Sequence, residues 1–262
     1  MTPRDRDPSS DVGIDEAGSR SSASSGKSTR KHLPVWQETL LLLGIALVLA
    51  IVIKSLFLQA FYIPSESMEP GLVKNDRILV EKVSYWFGGS PQRGDVVVFE
   101  DPGDWLSDSE SAGPTNPVTS LMARIGLYPT GGHLVKRVIG VGGDTITCCD
   151  SLGRISVNGK ALNEKSYAKL DGADCYGPMT STCHWTAGPV PKDHVFVMGD
   201  NRHNSADSTV HMCPPKATDC VPGDEFVSDD LIVGRVFVLL WPSSRFSWLH
   251  RPATFADVPD PG

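Results

Sequence analysis

The chain has 262 residues, of which 40% are hydrophobic and 21% charged, and its formal net charge is −7. No surplus of Lys and Arg exists to neutralise phosphates, which argues against nucleic acid as the main partner. The length allows one large domain or two modest ones.

Residues 1–33 differ in composition from the rest of the chain. The first 35 residues hold eight serines and no aromatic residue, so the segment buries too little apolar surface to offset chain entropy, and a disordered tail is expected over 1–33. Thr39–Ile53 then runs for fifteen residues without a charge. Counted over 36–58, the stretch reaches the roughly 20 residues that a helix needs to cross a bilayer core. Trp36 on one side, and Phe61 and Tyr62 on the other, suit the interfacial belts. Lys54, near the far end, can extend its stem toward headgroups.

Arg20, Lys27, Arg30 and Lys31 precede the span, and Glu66 and Glu69 lie beyond it. The excess of positive charge places the tail in the cytoplasm and residues 64–262 outside. A cleaved signal peptide is the competing reading, but the leader is long and no clean A-x-A site comes after it, so a retained single-pass anchor is expected. All six cysteines (148, 149, 175, 183, 213, 220) lie beyond the anchor, as an oxidising compartment permits. Their pairing is open, with Cys213 and Cys220 as the local candidate. Zinc lacks a C-x-x-C pair despite His203 and His211 nearby, and neither metal nor cofactor is expected.

The outer part reads as short β-branched runs. Arg77–Ser84, Asp95–Phe99, Leu134–Val141, Asp144–Thr147, Arg154–Val157, His194–Met198 and Leu231–Leu240 are expected strands, and Asn158-Gly159 signals a hairpin. The expected fold is mostly β, a folded antiparallel or barrel-like sheet after one N-terminal membrane helix. Insertions are expected near 101–132, 175–190 and 209–225, with a helix plausible over Val118–Leu127.

Four blocks carry the chemistry. Ile63-Pro64-Ser65-Glu66-Ser67-Met68-Glu69-Pro70 stands just after the anchor, and Arg93–Phe99 (RGDVVVF) comes next. Val135–Asp144 (VKRVIGVGGD) and Met198–Ser208 (MGDNRHNSADS) complete the set. Singly they are bland, since a serine between prolines is usually a turn. No G-x-S-x-G elbow is present, so a Ser-His-Asp hydrolase of that class is not indicated. His203 reads as a solvated loop histidine.

In this order behind an N-terminal anchor, the four blocks closely resemble the type I signal peptidases of bacteria, in an actinobacterial-looking form, over about residues 36–242. The resemblance implies a serine endopeptidase that removes signal peptides from exported preproteins. It makes Ser67 the nucleophile and Lys136 the general base, a serine–lysine variant of the serine protease scheme. The Ser67 backbone N–H and the Ser65 hydroxyl would hold the oxyanion, and Ser205 would hydrogen-bond the lysine amine. Asp200, Arg202 and Asp207 would form a supporting network, with Arg202 paired to Asp207. Ile63, Pro64, Met68, Leu134 and Val135 would wall shallow pockets for small residues at −1 and −3 of an extended substrate.

The residue types suit these roles. A lysine is nearly always protonated near neutral pH, so a lysine base needs desolvation to lower its pKa. Strand alternation sets Lys136 on one face with Leu134 and Val138, and Arg137 on the other. The span ends shortly before Ser67, which puts the expected site at the surface of the lipid bilayer. Glu66 replaces a common glycine, which matters only if φ there is positive. His203 and Thr209 also depart from the family pattern and leave the loop after Thr209 open. A narrower serine–lysine processing peptidase and an inactive membrane-tethered binding module are the alternatives.

Overall fold

A computed structural model of the chain describes residues 34–86, 88–103, 105–106, 116–124, 131–170, 184–213 and 220–261. The expected tail over 1–33, Cys175, Cys183 and parts of all three insertions lie outside the described residues. The chain divides into two compact units, residues 1–44 and 45–262.

The apolar run forms helix α1, Val35–Phe57, within a residue of the expected bounds. It is long and apolar enough to cross a membrane over Val35–Ile53, and its leucines are exposed, Leu40–Leu43 by more than half. The apolar tract then changes period. Leu58–Tyr62 is strand β1, although hydropathy alone makes it a continuation of the span. It pairs antiparallel with β2, Arg77–Glu81, from Leu58 opposite Glu81 to Tyr62 opposite Arg77. Within β1, Phe61 is buried and its neighbours are half-buried, and it is the pairing with β2 that holds the segment extended.

The remaining strands are β3 Val96–Glu100, β4 His133–Val141, β5 Ile146–Cys148, β6 Ser156–Val157 and β7 Lys160–Ala161. They continue with β8 Trp185–Ala187, β9 His194–Met198, β10 Val227–Ser228, β11 Ile232–Trp241 and β12 Ser247–Trp248. Among the described residues, short α-helices are α2, Pro117–Arg124, overlapping the expected 118–127 stretch, and α3, Ser208–His211. The larger sheet runs β1-β2-β11-β3-β4-β9-β10, with β12 beside β11, and the smaller runs β7-β6-β5-β8. The strand pairs are antiparallel, so the mostly β class expected from the sequence is the one observed. Asn158 and Gly159, at φ +50° and +79°, turn β6 into β7 as the Asn-Gly pair predicts.

Three buried clusters result among the described residues. Ile139, Phe196 and Met198 of the larger sheet pack with Ile146, Ile155, Val157 and Leu162 around the smaller one. Ile63, Met68, Ile78, Val80, Val98 and Val236 form a second, with Val135 against it. Val97, Phe99, Trp105, Leu134, Val138, Val195 and Val197 form the third. Leu134 and Val135 therefore belong to opposite faces of β4. The segment after β12 fastens both sheets: Arg251 donates to Asp95 at 2.6 Å, and Asn158 donates to the Pro259 carbonyl at 2.9 Å.

Candidate active site

β4 lies between β3 and β9, with Lys136 opposite Val97 and Arg137 opposite Met198. A central strand cannot leave charged side chains unpaired without a large cost, so both must find partners. Lys136, 5% exposed, projects on the face it shares with Leu134 and Val138, and its Nζ lies 2.8 Å from the Ser67 Oγ. Arg137 leaves by the other face. It makes two bonds to Asp200, Nε to Oδ1 at 2.8 Å and Nη2 to Oδ2 at 2.7 Å, and a third to the Gly94 carbonyl at 2.8 Å. Burial opposes the Arg137 charge, but Asp200 outweighs it and holds the guanidinium pKa above its usual value.

Ser67, 7% exposed, is presented by the turn after β1. Asn201 N–H donates to the Ser67 carbonyl at 3.0 Å, and its side-chain amide donates to the Glu66 carbonyl at 3.1 Å. Ser65 Oγ stands 3.2 Å from Ser67 Oγ. Glu66 is exposed and does not have positive φ, so a side chain there carries no backbone strain. Gly199 marks a close approach. A Cβ on it would fall 2.2 Å from Ser205 Oγ and 2.5 Å from the Ser67 carbonyl oxygen, so only glycine lets these segments meet.

The loop after β9 corrects two expectations. Arg202, fully buried, does not pair with Asp207; its Nη2 lies 2.5 Å from Glu164 Oε1, and its Nη1 donates to the Gly199 carbonyl. Asp207 is occupied instead as the N-cap of α3. It accepts from Thr209 N–H at 3.1 Å, Thr209 Oγ1 at 2.7 Å and Gly199 N–H at 2.8 Å, leaving no oxygen turned to a guanidinium. Thr209 thereby serves the loop without an arginine. The second correction is Ser205, which is 4% exposed but whose hydroxyl makes no hydrogen bond among the described residues, so the bond expected to Lys136 is not formed.

Among the expected substrate contacts, Ile63, Met68 and Val135 share one cluster, Leu134 sits in another, and Pro64 is exposed. Ile63 and Met68, at 2% and 1% exposed, are core residues, which leaves Val135 and Pro64 as the accessible ones. His203 is exposed, as a solvated loop histidine should be. Cys213 and Cys220 are disulfide-bonded, as is the adjacent pair Cys148 and Cys149. No group of three or more His, Cys, Asp or Glu able to hold a metal ion occurs among the described residues.

Sequence reasoning sets Arg137 on the face opposite Lys136 without naming its partner, and does not single out Glu164, Tyr167 or Asn201. An arginine inside an apolar strand is a signal for a buried acid partner. Glu164 and Tyr167 lie in a polar turn and give none.

A hydroxyl and an amine in direct contact, both buried, on segments held by a buried polar network, can exchange a proton away from bulk water. The family model described as signal peptidase, peptidase S26, matches residues 36–241. The chain belongs to this family. Signal peptidase I of Mycobacterium tuberculosis is 40% identical over 225 residues, covering 80% of this chain and 74% of that one. The probable signal peptidase I of Mycobacterium leprae is 35% identical over 245 residues, covering 83% and 80%. A solved signal peptidase I from Enterococcus faecalis aligns at a TM-score of 0.31 with 21% identity, over 55% of this chain and 95% of that one. Membership makes the chain a serine endopeptidase of the signal peptidase family, consistent with the four ordered motifs.

Proposed function

We propose that this signal peptidase family member is membrane-anchored and removes signal peptides from exported preproteins after small residues at −1 and −3. Ser67 is its nucleophile and Lys136 its general base. The observation that carries the reading is the 2.8 Å contact between Lys136 Nζ and Ser67 Oγ in a buried setting.

In the proposed cycle, the neutral Lys136 amine takes the Ser67 hydroxyl proton as Oγ adds to the scissile carbonyl. The Ser67 N–H and the Ser65 hydroxyl receive the oxyanion. Lys136 returns the proton to the departing amine, leaving an acyl-enzyme on Ser67. It then deprotonates the water that releases the signal peptide. Ser65, 3.2 Å from Ser67 Oγ, is near enough to serve once a substrate oxygen arrives. Supporting roles fall to Asp200, through Arg137, and to Arg202 and Asp207, through the Gly199 backbone.

A substrate bound as an added strand turns its −1 and −3 side chains to the same side. Val135 and Pro64 are the accessible members of the expected wall, with Ile63 and Met68 closing the space behind them. The apolar helix over Val35–Ile53 supports a bilayer anchor, and the basic residues before it support a cytoplasmic N-terminus with the catalytic domain, residues 64–262, outside.

The test is cleavage of a preprotein carrying an A-x-A site by the detergent-solubilised enzyme. Ser67→Ala and Lys136→Ala are each expected to lose more than about a thousandfold in kcat/KM. The rate should rise toward alkaline pH with a midpoint below the ordinary lysine value of about 10.4, because burial disfavours the charged amine. Activity surviving in either variant overturns the dyad. Equal cleavage of a precursor with bulky residues at −1 and −3 overturns the specificity.

A further inference from the structure

The turn at 164–169 is neither in the four motifs nor near them in sequence, yet it reaches Ser67 through two steps. Lys169 N–H donates to the Asp200 carbonyl at 2.8 Å, and Ala168 bridges to Pro70. Three segments, 65–70, 168–169 and 199–202, thus meet beneath the nucleophile. Two side chains extend the contact inward. Glu164, 3% exposed, holds Arg202, and Arg202 donates to the Gly199 carbonyl. Gly199 is the residue packed against both the Ser67 carbonyl and Ser205, and Asn201, which anchors the Ser67 carbonyl, lies next to Arg202.

Tyr167 fixes the orientation of this pair. Its hydroxyl donates to Glu164 Oε1 at 2.8 Å, the same oxygen that Arg202 uses, while Glu164 Oε2 and Arg202 Nε have no partner among the described residues. The ion pair is single-pronged and free to pivot without a second constraint. The Tyr167 ring supplies more of it, with Arg137 4.5 Å and Arg202 5.9 Å from its centroid. One aromatic ring therefore contacts the guanidinium next to Lys136 in the chain and the one bonded to Gly199.

We propose that Glu164 and Tyr167 are positioning residues that set Ser67 against Lys136 by fixing Arg202 and, through it, the backbone of residues 199–201. The proposal rests on the reading of Ser67 as the nucleophile. Neither residue touches the reacting atoms. Their contribution is geometric, and a nucleophile displaced by a fraction of an ångström loses rate rather than substrate affinity.

The experiment measures kcat and KM separately on the full-length enzyme, with urea midpoints in parallel. Each variant is assayed where it is fully folded. Glu164→Gln is expected to lower kcat about tenfold with KM within about twofold, and Tyr167→Phe to lower it about threefold. Glu164→Asp, which keeps the charge, should recover part of the loss. Glu164→Gln combined with Arg202→Met removes the buried unpaired charge and should restore the urea midpoint. It should not restore kcat, because with Arg202 gone the Gly199 carbonyl has lost its donor and the backbone of 199–201 is no longer held. Return of kcat together with stability in that double variant marks a merely structural role and overturns the proposal. Wild-type kcat in folded Glu164→Gln or Tyr167→Phe does the same. Should Glu164→Gln fail to fold, Tyr167→Phe decides, since it keeps the ring between the two arginines. Ser67→Ala and Lys136→Ala run alongside. Activity in those two overturns the dyad itself, whereas inactive dyad variants beside a wild-type-like Glu164→Gln overturn the positioning role alone.

Discussion

Ser205 and Gly199 form a tight pair beside Ser67, and they differ in what they do for the fold. The Ser205 hydroxyl is buried and without a hydrogen-bond partner among the described residues. An unsatisfied buried hydroxyl costs stability, so its removal should not destabilise. Ser205→Ala is expected to leave the stability read from urea unfolding unchanged or raise it by up to about 1 kcal/mol. A fall in kcat in the same variant would mean that the hydroxyl turns to Lys136 only when substrate is bound. A marked loss of stability would contradict the unpartnered state. Ordered motifs gather Ser67, Lys136, Ser205, Asp200, Arg202 and Asp207 into one region. They do not reveal which acid faces which base. Arg202 and Asp207 are five residues apart and are natural partners on spacing alone. Asp207 instead caps α3, because its oxygens meet three donors of its own loop, and Arg202 turns inward to Glu164, far upstream in the chain.

At the scale of elements, local turn chemistry was the most legible part. Asn158-Gly159 reads as a two-residue hairpin, and both residues take the positive φ that such a turn requires. A Cβ at Gly159 would meet nothing within 4 Å, so substitution there tests backbone preference alone. Gly159→Ala is expected to cost about 1 kcal/mol in chemical unfolding with no change in activity, since the turn belongs to the smaller sheet. A loss several times larger would show that the turn carries packing not visible in its surroundings. The longer strands, with their β-branched runs, were legible from local pattern in the same way. β1 was not, because an apolar tract just after an apolar helix has no internal boundary. Pairing with β2 supplies the boundary, and it is a long-range fact.

For the molecule as a whole, pH acts through groups on the periphery of the site. His211 stacks on Trp105, centroids 4.3 Å apart and rings parallel within 1°, which ties α3 to the loop after β3. Burial pushes its imidazole below the ordinary histidine value, more than Asp207, Asp224 and Asp101 pull it up. Below about pH 6.5 the unfolded chain therefore takes up a proton that the folded one does not, and stability falls as pH drops toward the lowered value. Tm measured from about pH 7 down to about pH 5 should decline from this source, and His211→Gln should flatten that part of the profile. An unchanged slope in the variant would assign the decline to other groups.

The sequence by itself determined the membrane-length helix, the mostly β class, the hairpin and the membership signalled by four ordered motifs. These depend on local hydrophobic periodicity, on turn residues or on motif order, all of which a linear reading contains. Only the tertiary structure decided that Lys136 Nζ meets Ser67 Oγ, that Arg137 takes Asp200, and that Glu164 and Tyr167 join through Arg202 to the loop that packs on Ser67. The contacts of Lys136, Arg137 and Glu164 each join residues far apart in the chain. Burial makes the pairing compulsory without naming the partner, so the choice is made by sheet register and loop packing.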